Sequence, residues 1–137
     1  MHLPIAGACF ISVKESDKGA MVPLARSLTG LGFRIVATRG TGAYLKDNGL
    51  DVQIVNKVTE GRPDITDLMR SGEIQLVINT AEGKVAIADS FSLRRTALTA
   101  GIAYMTTVAG ARAAVRAIEA LRGETLGVRP LQAYFTK

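Results

Sequence analysis

The sequence predicts an α/β fold, a parallel sheet covered by helices on both faces. Three observations predict it. Short runs of aliphatic residues alternate with stretches whose apolar residues recur at helical spacing. The runs are continuously apolar rather than alternating, as strands buried on two faces must be. The length, 137 residues, is that of one domain.

The elements follow in order. Residues 8–13 (Ala-Cys-Phe-Ile-Ser-Val) read as the first strand. From Lys18, Met21, Leu24, Leu28 and Leu31 recur at helical spacing, and Gly30 and Gly32 punctuate the end. Pro23 falls in the first turns of that helix, where a missing N–H costs little. Residues 33–38 form the second strand, 41–48 a short helix closed by Gly49, and 52–55 a third strand. Residues 64–71 form a helix stopped by Gly72, and 76–79 the fourth strand. Residues 86–100 are helical up to Gly101, and 103–105 form the fifth strand. Ala111, Ala114, Val115, Ile118 and Leu121 give the last helix its apolar stripe. The domain proper is expected over 8–122, with 1–7 a linker remnant of a longer protein and 123–137 a C-terminal tail.

Composition narrows the function. Apolar residues are 47% and charged residues 21%, which excludes a disordered chain. Aromatic residues are 5% with no Trp, so Val, Ile, Leu and Ala must build the core. A single cysteine, Cys9, excludes a disulfide framework and reads as an inert core thiol. A single histidine, His2, excludes a His-based metal site or triad, and no metal is expected. No apolar run reaches membrane-spanning length and no signal peptide is recognisable, so a cytoplasmic protein with no membrane partner is expected. The net charge of +5 favours an anionic partner. Arg94, Arg95, Arg112, Arg116 and Arg122 lie on helices with little aromatic interleaving, which suits a solvated or interdomain face rather than nucleic acid.

In an open α/β sheet the binding crevice lies beyond the carboxyl ends of the strands. Those ends carry Lys14 to Lys18, Thr38-Arg39-Gly40-Thr41-Gly42, Asn56-Lys57, Asn79-Thr80-Ala81-Glu82-Gly83 and Thr106-Thr107. Gly40 and Gly42 permit close backbone approach at a helix start, where N–H groups point outward. Thr38 and Thr41 add hydroxyls, and Lys18 and Lys57 add the full charges a phosphate dianion needs. Each hydrogen bond to a charged group contributes about 1.5–3 kcal/mol. Four or five, less the cost of association, suit a micromolar site at about −8 kcal/mol. The plainer reading of the same turn is a tight turn with an N-cap. It is no Walker loop, because Gly83-Lys84 is followed by Val85. Tyr104 reads as core or sheet edge. Asp64 and Asp89 are candidate bases or ribose-hydroxyl acceptors, although an Asp at a helix start is usually a cap.

Four strings, residues 10–14 (Phe-Ile-Ser-Val-Lys), 36–41 (Val-Ala-Thr-Arg-Gly-Thr), 55–63 (Val-Asn-Lys-Val-Thr-Glu-Gly-Arg-Pro) and 77–80 (Val-Ile-Asn-Thr), carry a resemblance. Asp89-Ser90, 94–98 and Tyr104-Met105-Thr106-Thr107 extend it. The chain resembles the C-terminal allosteric domain of carbamoyl-phosphate synthase large chains, a methylglyoxal-synthase-like module, from about Gly7 to Leu121. The resemblance implies a flavodoxin-like three-layer α/β/α sandwich with a five-stranded parallel sheet. It implies a parent ligase that makes carbamoyl phosphate from bicarbonate, glutamine-derived ammonia and two ATP for arginine and pyrimidine synthesis. That parent uses ATP, Mg2+ or Mn2+ and K+, and pairs the large chain with a glutaminase small chain. No cofactor is implied for this domain.

Carried over position by position, the family's nucleotide-monophosphate pocket (UMP as inhibitor, IMP as activator in bacterial members) falls on Ser12, Lys18, Thr38, Thr41, Lys57, Asn79 and Thr80. Asp89 is implied near the ribose, and Ile65 and Leu93 beside the base. Tyr104 and Thr106 match residues that help bind ornithine at the boundary with the neighbouring domain. Ala81 departs from the family, many bacterial members having a second Thr there; this motivates the alternative of a structural or oligomerising domain with a decayed pocket. The lyase alternative is methylglyoxal synthase, which needs a carboxylate base and an assisting histidine. Those positions hold Arg62 and Ala86. Catalysis by this domain is not expected.

Overall fold

The computed structural model describes residues 3–81 and 84–127, less the side chains of residues 59, 84–86, 88–89 and 124–127. Five strands alternate with five helices: β1 (Ala8–Ser12), α1 (Lys18–Gly30), β2 (Arg34–Ala37), α2 (Arg39–Asp47), β3 (Val52–Ile54), α3 (Ile65–Arg70), β4 (Leu76–Asn79), α4 (Lys84–Ala100), β5 (Ala103–Met105) and α5 (Val108–Gly127). Single 3₁₀ turns at Glu15–Asp17 and Val58–Glu60 follow β1 and β3.

The sheet has the order β3-β2-β1-β4-β5, and every pair is parallel. Side chains alternate across it and build two apolar layers. Cys9 and Ile11 of β1 point into a layer with Met21, Leu28, Leu45 and Ile118, from α1, α2 and α5. Ala8 and Phe10 point into the other, with Ile65, Met69, Leu93 and Ala97 from α3 and α4. The molecule is thus the expected flavodoxin-like three-layer sandwich. The strand order reverses between β1 and β4, whose last residues, Ser12 and Asn79, are register partners. That reversal is where an open α/β sheet leaves a crevice.

Several boundaries differ from the sequence reading, three of them in helices by two residues or more. The second helix starts at Arg39 rather than residue 41, so both glycines lie inside its first turns. A Cβ on Gly42 would stand 2.1 Å from Ile54 Cδ1, so this glycine makes room for β3 rather than for a ligand. The fourth helix begins at Lys84, two residues before the expected start. The last helix continues through Gly123 to Gly127; of the expected tail, 128–137 lie outside the described residues. At the other end, Leu3 packs against the first apolar layer, and Arg122 donates to the Ile5 carbonyl at 3.1 Å and to the Leu31 carbonyl. No helix among the described residues is long and apolar enough to cross a membrane.

Candidate functional site

The exit of β1 is built first, because it fixes everything around it. Val13 N–H donates to Thr41 Oγ1 at 3.2 Å and Lys14 N–H to Thr80 Oγ1 at 3.0 Å. Thr80 N–H returns a bond to the Ser12 carbonyl at 3.0 Å. Buried Thr41 and Thr80 therefore hold the β1 exit between α2 and the end of β4. Buried backbone donors need such partners, since an unmet one costs about 1–3 kcal/mol.

Beside this exit, Thr38 Oγ1 donates to Ser12 Oγ at 3.2 Å. Thr38 stands at the N-cap of α2 in extended conformation, yet its side chain makes no capping bond. Among the described residues, nothing accepts from the N–H groups of Arg39, Gly40 and Thr41. Those donors and the helix dipole leave positive partial charge at this end. Lys18 brings a full charge to the same place: its Nζ lies 3.4 Å from where a Gly40 Cβ would be. Only Glu15, an exposed carboxylate 2.8 Å away, pairs with it among the described residues.

Lys57 lies in the loop that follows β3. It precedes the 3₁₀ turn after β3, and its N–H donates to Glu60 Oε1 at 2.7 Å. Arg39 joins that loop to the start of α2, donating to Asn56 Oδ1 at 3.1 Å with its Nε 3.9 Å from Glu60 Oε2. Arg39 was not singled out from sequence, though it lies between the two residues that were.

Asn79 turns the other way. Its Nδ2 donates to Tyr104 Oη and to Ser90 Oγ, each at 2.9 Å. These three residues and Thr106 border a cavity of ≈ 250 Å³ between α4 and β5. Ile87, Phe91 and Arg94 complete its α4 wall, with Ala81 at its edge. Ile87, Ser90, Phe91 and Arg94 follow the spacing i, i+3, i+4, i+7, which sets them on one helix face. That spacing was the available signal for Ser90, Phe91 and Arg94, which sequence reasoning did not assign to a site.

The remaining expected residues take other places. Ile65 and Leu93 are buried in the α3–α4 apolar layer. The side chain of Asp89, and Glu82 and Gly83 altogether, lie outside the described residues. Asp64 is a helix cap: its carboxylate accepts from Thr66 N–H and Asp67 N–H at 2.8 and 3.4 Å. Arg62 pairs with Asp67 at 2.5 Å. The thiol of Cys9 is fully buried, which pushes its pKa up and keeps it unreactive. Among the described residues, no group of three or more His, Cys, Asp or Glu side chains is arranged to hold a metal ion.

A family model described as MGS-like domain matches residues 20–106. The chain belongs to the MGS-like domain family. This MGS-like domain is 54% identical over 134 residues to the carbamoyl phosphate synthase large chain of Myxococcus xanthus, covering 98% of the chain and 12% of that protein. It is 47% identical over 131 residues to the C-terminal section of the large chain of Methanopyrus kandleri, covering 95% of the chain and 24% of that protein. The domain thus spans an eighth to a quarter of these relatives. Among solved structures it is similar in fold to methylglyoxal synthase from Elizabethkingia anophelis, with a TM-score of 0.62 at 16% identity, over 82% of this chain and 79% of that one. It is similar also to ForH, with a TM-score of 0.61 at 19% identity, over 83% and 80%.

Proposed function

We propose that this MGS-like domain is the nucleotide-responsive control module at the C-terminal end of a carbamoyl-phosphate synthase large chain. The supporting observation is the uncapped start of α2 with the Lys18 ammonium beside Gly40. A phosphate dianion there meets backbone donors, the Ser12 and Thr38 hydroxyls, and the charges of Lys18 and Lys57. Thr41, Asn79 and Thr80 keep the surrounding strand ends in register for it. The nucleoside extends toward α3 and α4, with the ribose near Asp89 and the base beside Ile65 and Leu93. UMP and IMP are the proposed nucleotides. Tyr104 and Thr106 belong to a second effector site, for ornithine, that the rest of the large chain completes.

On this reading the chemistry, with its ATP, divalent metal and K+, belongs to the rest of the large chain, and the glutaminase small chain supplies ammonia. The domain's contribution is a coupling free energy, typically about 1–3 kcal/mol between sites. Arg62 and Ala86 stand where a lyase needs a base and a histidine, so the domain's role is binding. A cytoplasmic setting goes with this assignment.

The test is thermal denaturation of the chain with nucleotide. A ligand at a hundred times its Kd stabilises by about 2.7 kcal/mol, a rise of several degrees for a domain of this size. UMP produces that rise, and Lys57→Ala abolishes it. No protection by UMP, IMP or inorganic phosphate would overturn the proposal in favour of a scaffold with a decayed pocket. Such a scaffold would also give no calorimetric heat with UMP, IMP or ornithine.

A further inference from the structure

Among the described residues that line the cavity between α4 and β5, one carries a formal charge, Arg94. Arg94 has no hydrogen-bond or ion-pair partner among the described residues. Its guanidinium carbon lies 5.5 Å from the centroid of the Tyr104 ring. A guanidinium over an aromatic ring is attracted to its face, so it loses less freedom when it pairs with a carboxylate. Around it the cavity is two-sided. Ile87 and Phe91 are 48% and 65% exposed, an apolar wall without cover. Opposite, the Asn79 amide is fixed by its two 2.9 Å bonds, to Tyr104 and Ser90.

We propose that Arg94 is the specificity-determining residue of this cavity, pairing with the carboxylate of the ligand it takes. Arg94 pairs with the carboxylate and the Ile87–Phe91 wall covers an aliphatic stem. The inference rests on the cavity being the second effector site, and goes further by naming which end of the ligand enters and what recognises it. A volume of ≈ 250 Å³ is below the about 300–1,000 Å³ of ordinary ligand pockets, so a nucleotide is too large. Among the described lining residues there is a guanidinium and no carboxylate, so what they attract is a carboxylate rather than an amine. The ammonium end of an amino acid faces outward.

Titration calorimetry of the whole large chain, in which this site is complete, tests this with three probes: ornithine, 5-aminopentanoate (lacking only the α-amino group) and 1,4-diaminobutane (lacking the carboxylate). Both carboxylates bind at least about tenfold more tightly than the diamine, as a charge-assisted bidentate pair implies. Arg94→Gln removes that preference and Arg94→Lys restores part of it, while the UMP-dependent rise in melting temperature persists in both. The proposal is overturned if the diamine binds as well as ornithine, if Arg94→Gln keeps the preference, or if neither carboxylate binds. A carboxylate preference in a chain that ignores UMP would support Arg94 and sink the nucleotide reading alone.

Discussion

The ammonium of Lys18 lies 3.4 Å from the point where a Cβ on Gly40 would sit, although 22 positions separate the two residues in sequence. Lys18 opens α1 and Gly40 lies in the first turn of α2, and the β1 exit, pinned by Thr41 and Thr80, sets the distance between them. Gly40→Ala therefore separates folding from binding. Alanine is worth about 0.5–1 kcal/mol over glycine inside a helix, and the atom it meets is the mobile tip of a lysine. Melting temperature without ligand holds or rises slightly. The protection given by UMP falls by more than half, because the added methyl displaces the ammonium from the helix start.

Gly42→Ala behaves in the opposite way. Its Cβ would overlap Ile54 Cδ1 at 2.1 Å, while Ile54 Cγ1 is 3.6 Å away, an ordinary contact. The substitution lowers stability by about 1–3 kcal/mol, the usual cost of overpacking. Ile54→Val deletes the offending methyl. In that background Gly42→Ala is neutral or stabilising, and a double-mutant cycle by chemical denaturation reads the coupling directly.

The six-residue helix α3 depends on its cap. Asp64 accepts from Thr66 N–H at 2.8 Å and from Thr66 Oγ1 at 2.5 Å, while its own N–H donates to Asp67 Oδ2 at 2.8 Å. Asp64→Ala costs about 1–2 kcal/mol, seen as a fall of several degrees in melting temperature. Asp64→Asn, which keeps an acceptor, costs clearly less.

Asp67 supplies a pH signature. The Asp64 N–H bond, above all, with help from the Arg62 and Arg70 guanidiniums, holds its carboxyl below the usual carboxylate range. A carboxylate depressed in the folded state stabilises above its unfolded pKa and loses that contribution as pH falls through the folded value. Asp67→Asn therefore lowers the melting temperature by a few degrees at neutral pH. The gap narrows on acidification below the ordinary carboxylate pKa, and parallel melting curves for the two proteins across that range measure it.

Elements governed by local pattern were legible in the sequence. Residues 76–79 and 103–105 read as strands and are strands, because an aliphatic run between helical segments has little else to do in a doubly covered sheet. Asp64 and Ser71 were read as the ends of a helix and flank it as caps. The start of α2 was misplaced by two residues because two glycines depress local helix propensity. Packing of Gly42 under Ile54 outweighs that preference. Arg94 read as a solvated charge, since nothing local shows that a tyrosine ten residues later lies under it.

The sequence by itself determined the α/β class, the two-sided burial of the sheet and the residue types gathered at its carboxyl edge. Hydrophobic periodicity and strand-end chemistry are properties of short segments, and short segments can be read. Only the tertiary structure decided how those residues divide. It gave Thr41 and Thr80 to the backbone of the β1 exit, left Ser12, Thr38 and Lys18 at the start of α2, and turned Asn79 toward Tyr104. Hydrogen bonds between residues 25 to 66 positions apart exist only once the strands are in register. That register is fixed by the burial of the whole sheet rather than by any one stretch of chain.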